Sequence, residues 1–330
     1  MRKVAMMDAE SRRELFVSTA AVRNIAPIVI EKDFWVCFVL NELFSSEFLK
    51  DKLMFKGGTS LSKVYGIIER FSEDIDLVLN WNEILDDDPN APRSKNKQDK
   101  YNKKMDVHSR KYVAEEILPE VEKLTGHVCT LEIVEKEPDC IQLNYPVSFS
   151  SDYIPARIKL EIGAKASWAP NRSYTITPYA AEEFPSVFEE PSCSINVVKA
   201  ERTFWEKATI LHQEAHRPVA KIQPSGYSRH YYDLMKLSKS LIKTSAMNVF
   251  QLLEDVVEFK KKFYPVPWAR YELATPPTFR LLPEEHVKRL LVKDYKAMKE
   301  MFFGEIPSFD EILQNLAALE NEINALDITE

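Results

Sequence analysis

Asp74 and Asp76 stand one residue apart, shortly downstream of a Gly57–Gly58 pair, in the run LMFKGGTSLSKVYGIIERFSEDIDLVL over 53–79. In an extended strand alternate residues share a face, so the two aspartates point one way while Ile75, Leu77 and Leu79 point the other. Carboxylates this close repel each other unless they are protonated or bridged by a cation, and hard oxygen donors of this kind suit Mg²⁺. Glycine is scarce, seven in 330 residues, so an adjacent pair marks a backbone turn that no side chain fits. Thr59 and Ser60 follow at once, suiting a helix start whose free N–H groups hold an anion. A phosphate cradle ahead of a metal clamp is the layout that nucleotidyl transfer needs. Either feature alone is commonplace, since Gly-Gly-Thr is a frequent turn and Asp-x-Asp recurs by chance in acidic chains. Their combination between apolar, strand-like runs is what favours chemistry.

The elements that must position these residues are legible in outline. The spacing predicts a polar helix over 8–23 and a strongly apolar one from Pro27 through IVIEKDFWVCFVLNELF, with Glu31-Lys32-Asp33 read as an exposed first turn, a reach toward the site being the alternative that nothing in the spacing requires. Strand, turn, helix and strand follow across 53–79. KYVAEEILPEVEKL reads as helix, and 128–134, 140–149 and 156–164 read as strands. On the last of these Arg157, Lys159 and Glu161 share a face. A half-buried strand needs no function for that pattern, but one pairing beside Asp74 and Asp76 would supply a third carboxylate. Trp168–Ser194, with its prolines, reads as an irregular crossover. Beyond it the chain is mainly helical and closes on a capping-box signature, Ser308-x-x-Glu311. The expected architecture is α/β (α+β): a mixed sheet core with flanking helices over 1–193, then a mainly α-helical domain over 194–330.

Composition narrows the class. A hydrophobic content of 45% with 29% charged residues describes a globular chain of about two domains. Neither a membrane-spanning run nor a signal core is present, so cytoplasmic residence is the expectation. Four scattered cysteines without CxxC spacing argue against a zinc ribbon or a disulfide scaffold. His212 and His216, four apart on a helix, lack a third ligand and read as surface histidines. The net charge is −7, yet 93–111 carries eight Lys/Arg against Asp99 and Asp106. Lys95, Lys97, Lys100, Lys103 and Lys104 in that stretch either line a solvated face or attract a phosphate backbone such as RNA.

The chain resembles the AbiEii family of bacterial nucleotidyltransferase-like toxins, the effector half of type IV abortive-infection toxin–antitoxin pairs. The resemblance rests on Phe55-Lys56-Gly57-Gly58-Thr59-Ser60-Leu61 and Arg70-Phe71-Ser72-Glu73-Asp74-Ile75-Asp76-Leu77. It extends to Glu31-Lys32-Asp33, Lys159-Leu160-Glu161, Glu206-Lys207 and Arg229-His230-Tyr231-Tyr232-Asp233-Leu234. It implies a nucleotidyltransferase core joined to helices, an NTP substrate with Mg²⁺, a cognate antitoxin in phage defence and, in some members, nucleotide addition to the 3′ end of tRNA. Carried onto matching positions, it gives Asp74, Asp76 and Glu161 to the metal and Gly57, Gly58, Thr59 and Ser60 to the phosphates, with Ser72 beside them. Arg70 or Lys207 then balances the triphosphate charge, Arg229 joins the nucleotide-binding set, and Asp233 positions one of those cations. The family commonly reads Arg-Asp before Tyr-Asp-Leu, whereas position 230 here is His, so no role carries over there. The rivals are the same chemistry on a protein hydroxyl (AMPylation) or a small molecule, and a non-catalytic module that binds nucleotide or a partner.

Overall fold

The computed structural model describes residues 1–72, 74–150 and 155–327. The chain divides into two compact units, Met1–Val64 with Phe71–Val198, and Tyr65–Arg70 with Lys199–Glu330.

The first unit opens with helices α1 (Arg2–Ala5), α2 (Ala9–Arg23) and α3 (Pro27–Ser45). Asp8 caps α2 by accepting from the Ser11 N–H, and Pro27 takes the first turn of α3, where its missing N–H is harmless. Every residue of α3 from Val29 to Phe44 is buried, including the polar Glu31, Lys32, Asp33, Asn41 and Glu42 among its apolar side chains. Strand β1 (Leu53–Lys56), helix α4 (Gly57–Lys63) and strand β2 (Asp74–Leu79) follow. Helices α5 (Lys95–Tyr112) and α6 (Leu118–Thr125) are joined through a π-helical turn at Val113–Ile117. Then come β3 (Thr130–Val134), β4 (Glu137–Asn144), β5 (Arg157–Gly163), β6 (Asn171–Ile176), α7 (Tyr179–Glu183) and β7 (Cys193–Val198).

The seven strands form one mixed sheet in the order β3-β4-β5-β2-β1-β7-β6. β2 lies antiparallel to β1 and parallel to β5, so the hydrogen-bonded centre of the sheet carries the aspartates. Ile75, Leu77, Ile158, Leu160 and Ile162 are buried, which fixes which face of β2 and β5 turns outward.

Three expectations are corrected. The stretch Trp168–Ser194 is ordered: it holds β6, α7 and the start of β7, and β7 runs parallel to β1 inside the sheet. The second expected strand begins and ends earlier, at Glu137–Asn144, because Pro146 has no N–H for a ladder. Glu31, Lys32 and Asp33 are not an exposed turn but buried, at 0%, 0% and 8% exposure.

The second unit is helical: α8 (Ala200–Ala215), α9 (Ser228–Ser238), α10 (Leu241–Met247), α11 (Phe250–Phe263), α12 (Glu285–Ala297) and α13 (Phe309–Asn324). The capping box of α13 forms, with Ser308 Oγ accepting from the Glu311 N–H and Glu311 accepting from the Ser308 N–H. The stripe Phe309, Ile312, Leu316, Leu319 and Ile323 is an internal packing face. His212 is a further correction. It is wholly buried, with Nε2 on the Arg270 carbonyl at 3.1 Å and Nδ1 accepting from the Arg280 N–H at 3.1 Å. Both nitrogens therefore serve the backbone of a neighbouring loop and neither is offered to solvent.

Candidate active site

The turn after β1 is built around Gly57, whose φ of +81° is one that L side chains rarely adopt. A Cβ there would lie 1.8 Å from Asp76 Oδ2, so the Asp76 carboxylate rests directly on the Gly57 backbone. Ser60 Oγ closes the turn by donating to the Gly57 carbonyl at 2.8 Å, and Thr59 Oγ1 donates to the Asp74 carbonyl. Gly58, Thr59 and Ser60 are buried under these contacts. The first turn of α4 and the aspartate strand are thus one fixture.

Strand register assembles the rest. Glu161 on β5 stands opposite Asp76, and Lys56 on β1 stands opposite Asp76 from the other side. Lys159 stands opposite Asp74, and Cys140 on β4 opposite Glu161. Directly paired residues share a face, so one row reads Cys140, Glu161, Asp76, Lys56. The row beside it reads Gln142, Lys159, Asp74. Lys56 and Lys159 border the three carboxylates, which offsets part of their mutual repulsion. Lys159 also pairs with Glu137. Burial opposes its charge, but Glu137 and Asp74 outweigh burial and raise its pKa.

The buried triplet of α3 holds this face in place. Glu31 accepts from the Ser148 and Phe149 N–H groups at 2.7 and 3.2 Å. Lys32 Nζ donates to the carbonyls of Pro155, at 2.7 Å, and Arg157, at the head of β5. Asp33 takes Lys63 Nζ, at the end of α4, at 2.7 Å and the Tyr179 N–H at 2.7 Å. Three neighbouring side chains on one helix therefore anchor the strand that carries Glu161 and the helix that follows the glycine turn.

The helical unit gathers its own charges. Asp233, wholly buried, receives Arg70 on both oxygens at 2.7 Å and Lys207 on Oδ2 at 2.7 Å. Burial pushes the Asp233 carboxyl up, and Arg70 and Lys207 more than reverse it, holding its pKa well below the carboxylate range. Burial lowers the pKa of Lys207 despite Asp233. Arg229 is exposed in the first turn of α9.

The family model "Nucleotidyl transferase AbiEii toxin, Type IV TA system" matches residues 39–315. The chain belongs to this family. No curated protein matches it, but seven chains of solved structures do. One is MenT4, a nucleotidyltransferase toxin of Mycobacterium tuberculosis H37Rv, with 16% identity, a TM-score of 0.51, and coverage of 96% of this chain and 90% of that one. Another, a protein of H. pylori assigned to the nucleotidyltransferases, gives 14% identity, a TM-score of 0.44, and coverage of 91% and 96%. Membership of the AbiEii family makes the chain a nucleotidyltransferase of the toxin class and implies an NTP substrate and an antitoxin partner. The fold is that of MenT4 in outline.

For an AbiEii-family enzyme a divalent metal is the usual companion. Asp74, Asp76 and Glu161 offer it hard oxygen donors on one sheet face, a set that fits Mg²⁺ by chemistry. Among the described residues the acids and thiols whose ligating atoms converge within 4.8 Å are Glu137, Cys140 and Glu161. Burial pushes the Cys140 thiol up to about 12, so it stays protonated and is no partner for Mg²⁺. Lys56 and the positioning role of Lys32 were missed by sequence reasoning. Register with Asp76 would have identified Lys56; no local signal marks Lys32. Ser72 lies in the segment entering β2, and Glu73 lies outside the described residues. Lys95, Lys97, Lys100, Lys103 and Lys104 are all exposed on α5, whose opposite face buries Gln98, Tyr101, Asn102, Met105 and Ser109. Lys104 also pairs with Asp87 at 3.1 Å.

Proposed function

We propose that this chain transfers a nucleoside monophosphate from an NTP to an acceptor hydroxyl, with the 3′ end of tRNA as acceptor, and that a cognate antitoxin restrains it in phage defence. The observation that carries the reading is the contact of Asp76 with Gly57, which unites the acid strand and the glycine turn in one fixture. In the reaction an acceptor oxygen attacks the α-phosphorus in line and the bond to pyrophosphate breaks, so placement and charge neutralisation are the protein's main tasks. Asp74, Asp76 and Glu161 would hold Mg²⁺, which when bound neutralises phosphate charge and lowers the pKa of the attacking hydroxyl. The Gly57–Ser60 turn orients the terminal phosphates. Arg70, Lys207 and Arg229 supply positive charge for the triphosphate, and Asp233 holds Arg70 and Lys207 in place. The exposed lysines of α5 favour a polyanionic acceptor over a protein or small-molecule hydroxyl.

Incubation with each NTP labelled at the α-phosphate, with Mg²⁺ and total cellular RNA or lysate, tests the reading. Label on RNA that vanishes in Asp76→Ala is the expected result. Label on protein or on a small molecule replaces the acceptor, and no label with any NTP removes the reading altogether.

A further inference from the structure

Beyond α8 the chain runs RPVAKIQPSG over 217–226, a stretch whose prolines and glycine break helix and strand alike. Its apolar residues are not drawn into a core: Ile222 is 85% exposed. The segment is nevertheless pinned at both ends. Arg217 donates to the buried Glu214 at 2.6 and 2.9 Å and to the Ile222 carbonyl at 3.3 Å, and Gln223 Nε2 donates to Glu214 at 3.1 Å. At the far end Asp294 of α12 accepts from the Gly226 and Ser228 N–H groups at 2.6 and 2.9 Å. An apolar side chain held outward on a fixed frame has already met much of the ordering cost of a contact.

Between this segment and α12 lies a cleft of about 290 Å³, whose apolar lining is Ile222, Pro224, Leu290, Leu291 and Ala297. Small-molecule sites run from roughly 300 to 1,000 Å³, so a cleft this small suits bulky apolar side chains better than a cofactor. Arg289, Lys293 and Lys296 follow one another at helical spacing and form a stripe beside Leu290 and Ala297. All three are exposed, and among the described residues none has an acid partner, whereas Lys288 on the same helix pairs with Asp310 at 3.1 Å. Lys221 adds an exposed cation from the facing segment. An apolar pocket rimmed by cations is complementary to apolar side chains flanked by carboxylates. Other occupants fit less well. A second copy in symmetric contact would set these cations against themselves. The aliphatic lining offers no ring on which bases stack, and a flat lipid surface has no side chain to fill a concave cleft.

We propose that the cleft between residues 222–225 and α12 is a docking site for an acidic segment of a partner protein. A bulky apolar side chain of that segment inserts beside Leu290, and its carboxylates pair with Arg289, Lys293 and Lys296. The inference stands apart from the transferase reading, because none of these residues belongs to the proposed catalytic set.

The test is selection of a displayed library of random peptides on the full-length protein, with Leu290→Asp as the counter-selection target. Enriched peptides are expected to carry Leu, Phe or Trp flanked by Asp or Glu. The strongest of them, synthesised and followed by fluorescence anisotropy, should bind on the order of tenfold more weakly to Leu290→Asp. It should weaken comparably with a variant combining Arg289→Glu, Lys293→Glu and Lys296→Glu, and its affinity for wild type should fall as salt is raised. Leu290 is 52% exposed, so its variant is expected to unfold at the wild-type midpoint; should it not fold, Ile222→Asp takes its place. No enrichment, enrichment without acids, or equal binding to wild type and Leu290→Asp overturns the proposal. Wild-type dimers that Leu290→Asp dissolves, or Leu290-dependent binding to phosphatidylglycerol vesicles, give the cleft to another occupant and overturn it as well.

Discussion

Gly57 shows how little room a single position leaves. A methyl group there would meet Asp76 Oδ2 at 1.8 Å, in a backbone conformation with φ of +81°. Gly57→Ala should therefore displace the carboxylate and abolish metal-dependent transfer, while costing about 1–2 kcal/mol of stability from the left-handed conformation alone. Denaturant unfolding and the labelling assay read the two effects separately, and a fully active variant would contradict the geometry. His212 carries a prediction of its own. With Nε2–H given to the Arg270 carbonyl and Nδ1 taken by the Arg280 N–H, only the neutral ring fits. Burial lowers its pKa from 6.5 to about 4. A depressed basic pKa gives stability that is complete above pH 6.5 and lost as pH falls towards 4. That is about 3 kcal/mol across the window. His212→Gln should flatten this part of the stability–pH profile, which unfolding at stepped pH would show. The paired aspartates were readable because strand period and glycine scarcity are local signals. His212 was misread as a surface residue because burial is not local: the loop that encloses it lies 58 to 68 positions further on.

At the scale of elements the sequence was clear where periodicity was clean and silent where contacts were distant. The alternation in Arg157–Gly163 predicted β5, and the structure set Glu161 against Asp76 by register, a relation no single segment encodes. Glu31-Lys32-Asp33 looked like a solvated turn because adjacent charges usually are. Its partners lie 117 to 125 residues away for Glu31 and Lys32, so nothing nearby announced them. β6 was hidden for another reason: Asn171, Arg172, Ser173 and Thr175 are polar and it pairs on one side alone, so it has no hydrophobic alternation to read. Lys32→Met should leave the Pro155 and Arg157 carbonyls without their donor and destabilise the sheet unit by about 2–4 kcal/mol. The same variant should lower transfer activity beyond what partial unfolding explains, because β5 bears Glu161. An unfolding midpoint equal to wild type would deny Lys32 its anchoring part. Ser308→Ala, which removes one side of the α13 capping box, should cost about 1 kcal/mol without touching transfer.

Across the whole molecule, charge and connectivity set separate terms. With a net charge of −7 the chain repels RNA overall, so any association must work through the local field of α5. Replacing Lys97, Lys100 and Lys103 with Gln should weaken RNA binding and flatten its dependence on salt concentration. The log–log slope should fall by about one for each phosphate that is no longer neutralised. An unchanged slope would return α5 to an ordinary solvated helix. Connectivity has a consequence in time. Arg70 and Asp233 are separated by 163 positions, and residues 65–70 belong to the helical unit although both their neighbours in sequence belong to the sheet unit. A ribosome working at about 5–20 residues per second delivers Asp233 roughly 8 to 30 seconds after Arg70. Throughout that interval the nascent chain carries a guanidinium whose carboxylate has not been translated. Any message truncated before codon 233 lacks that carboxylate, so premature termination yields a product that cannot assemble the Arg70–Asp233–Lys207 cluster.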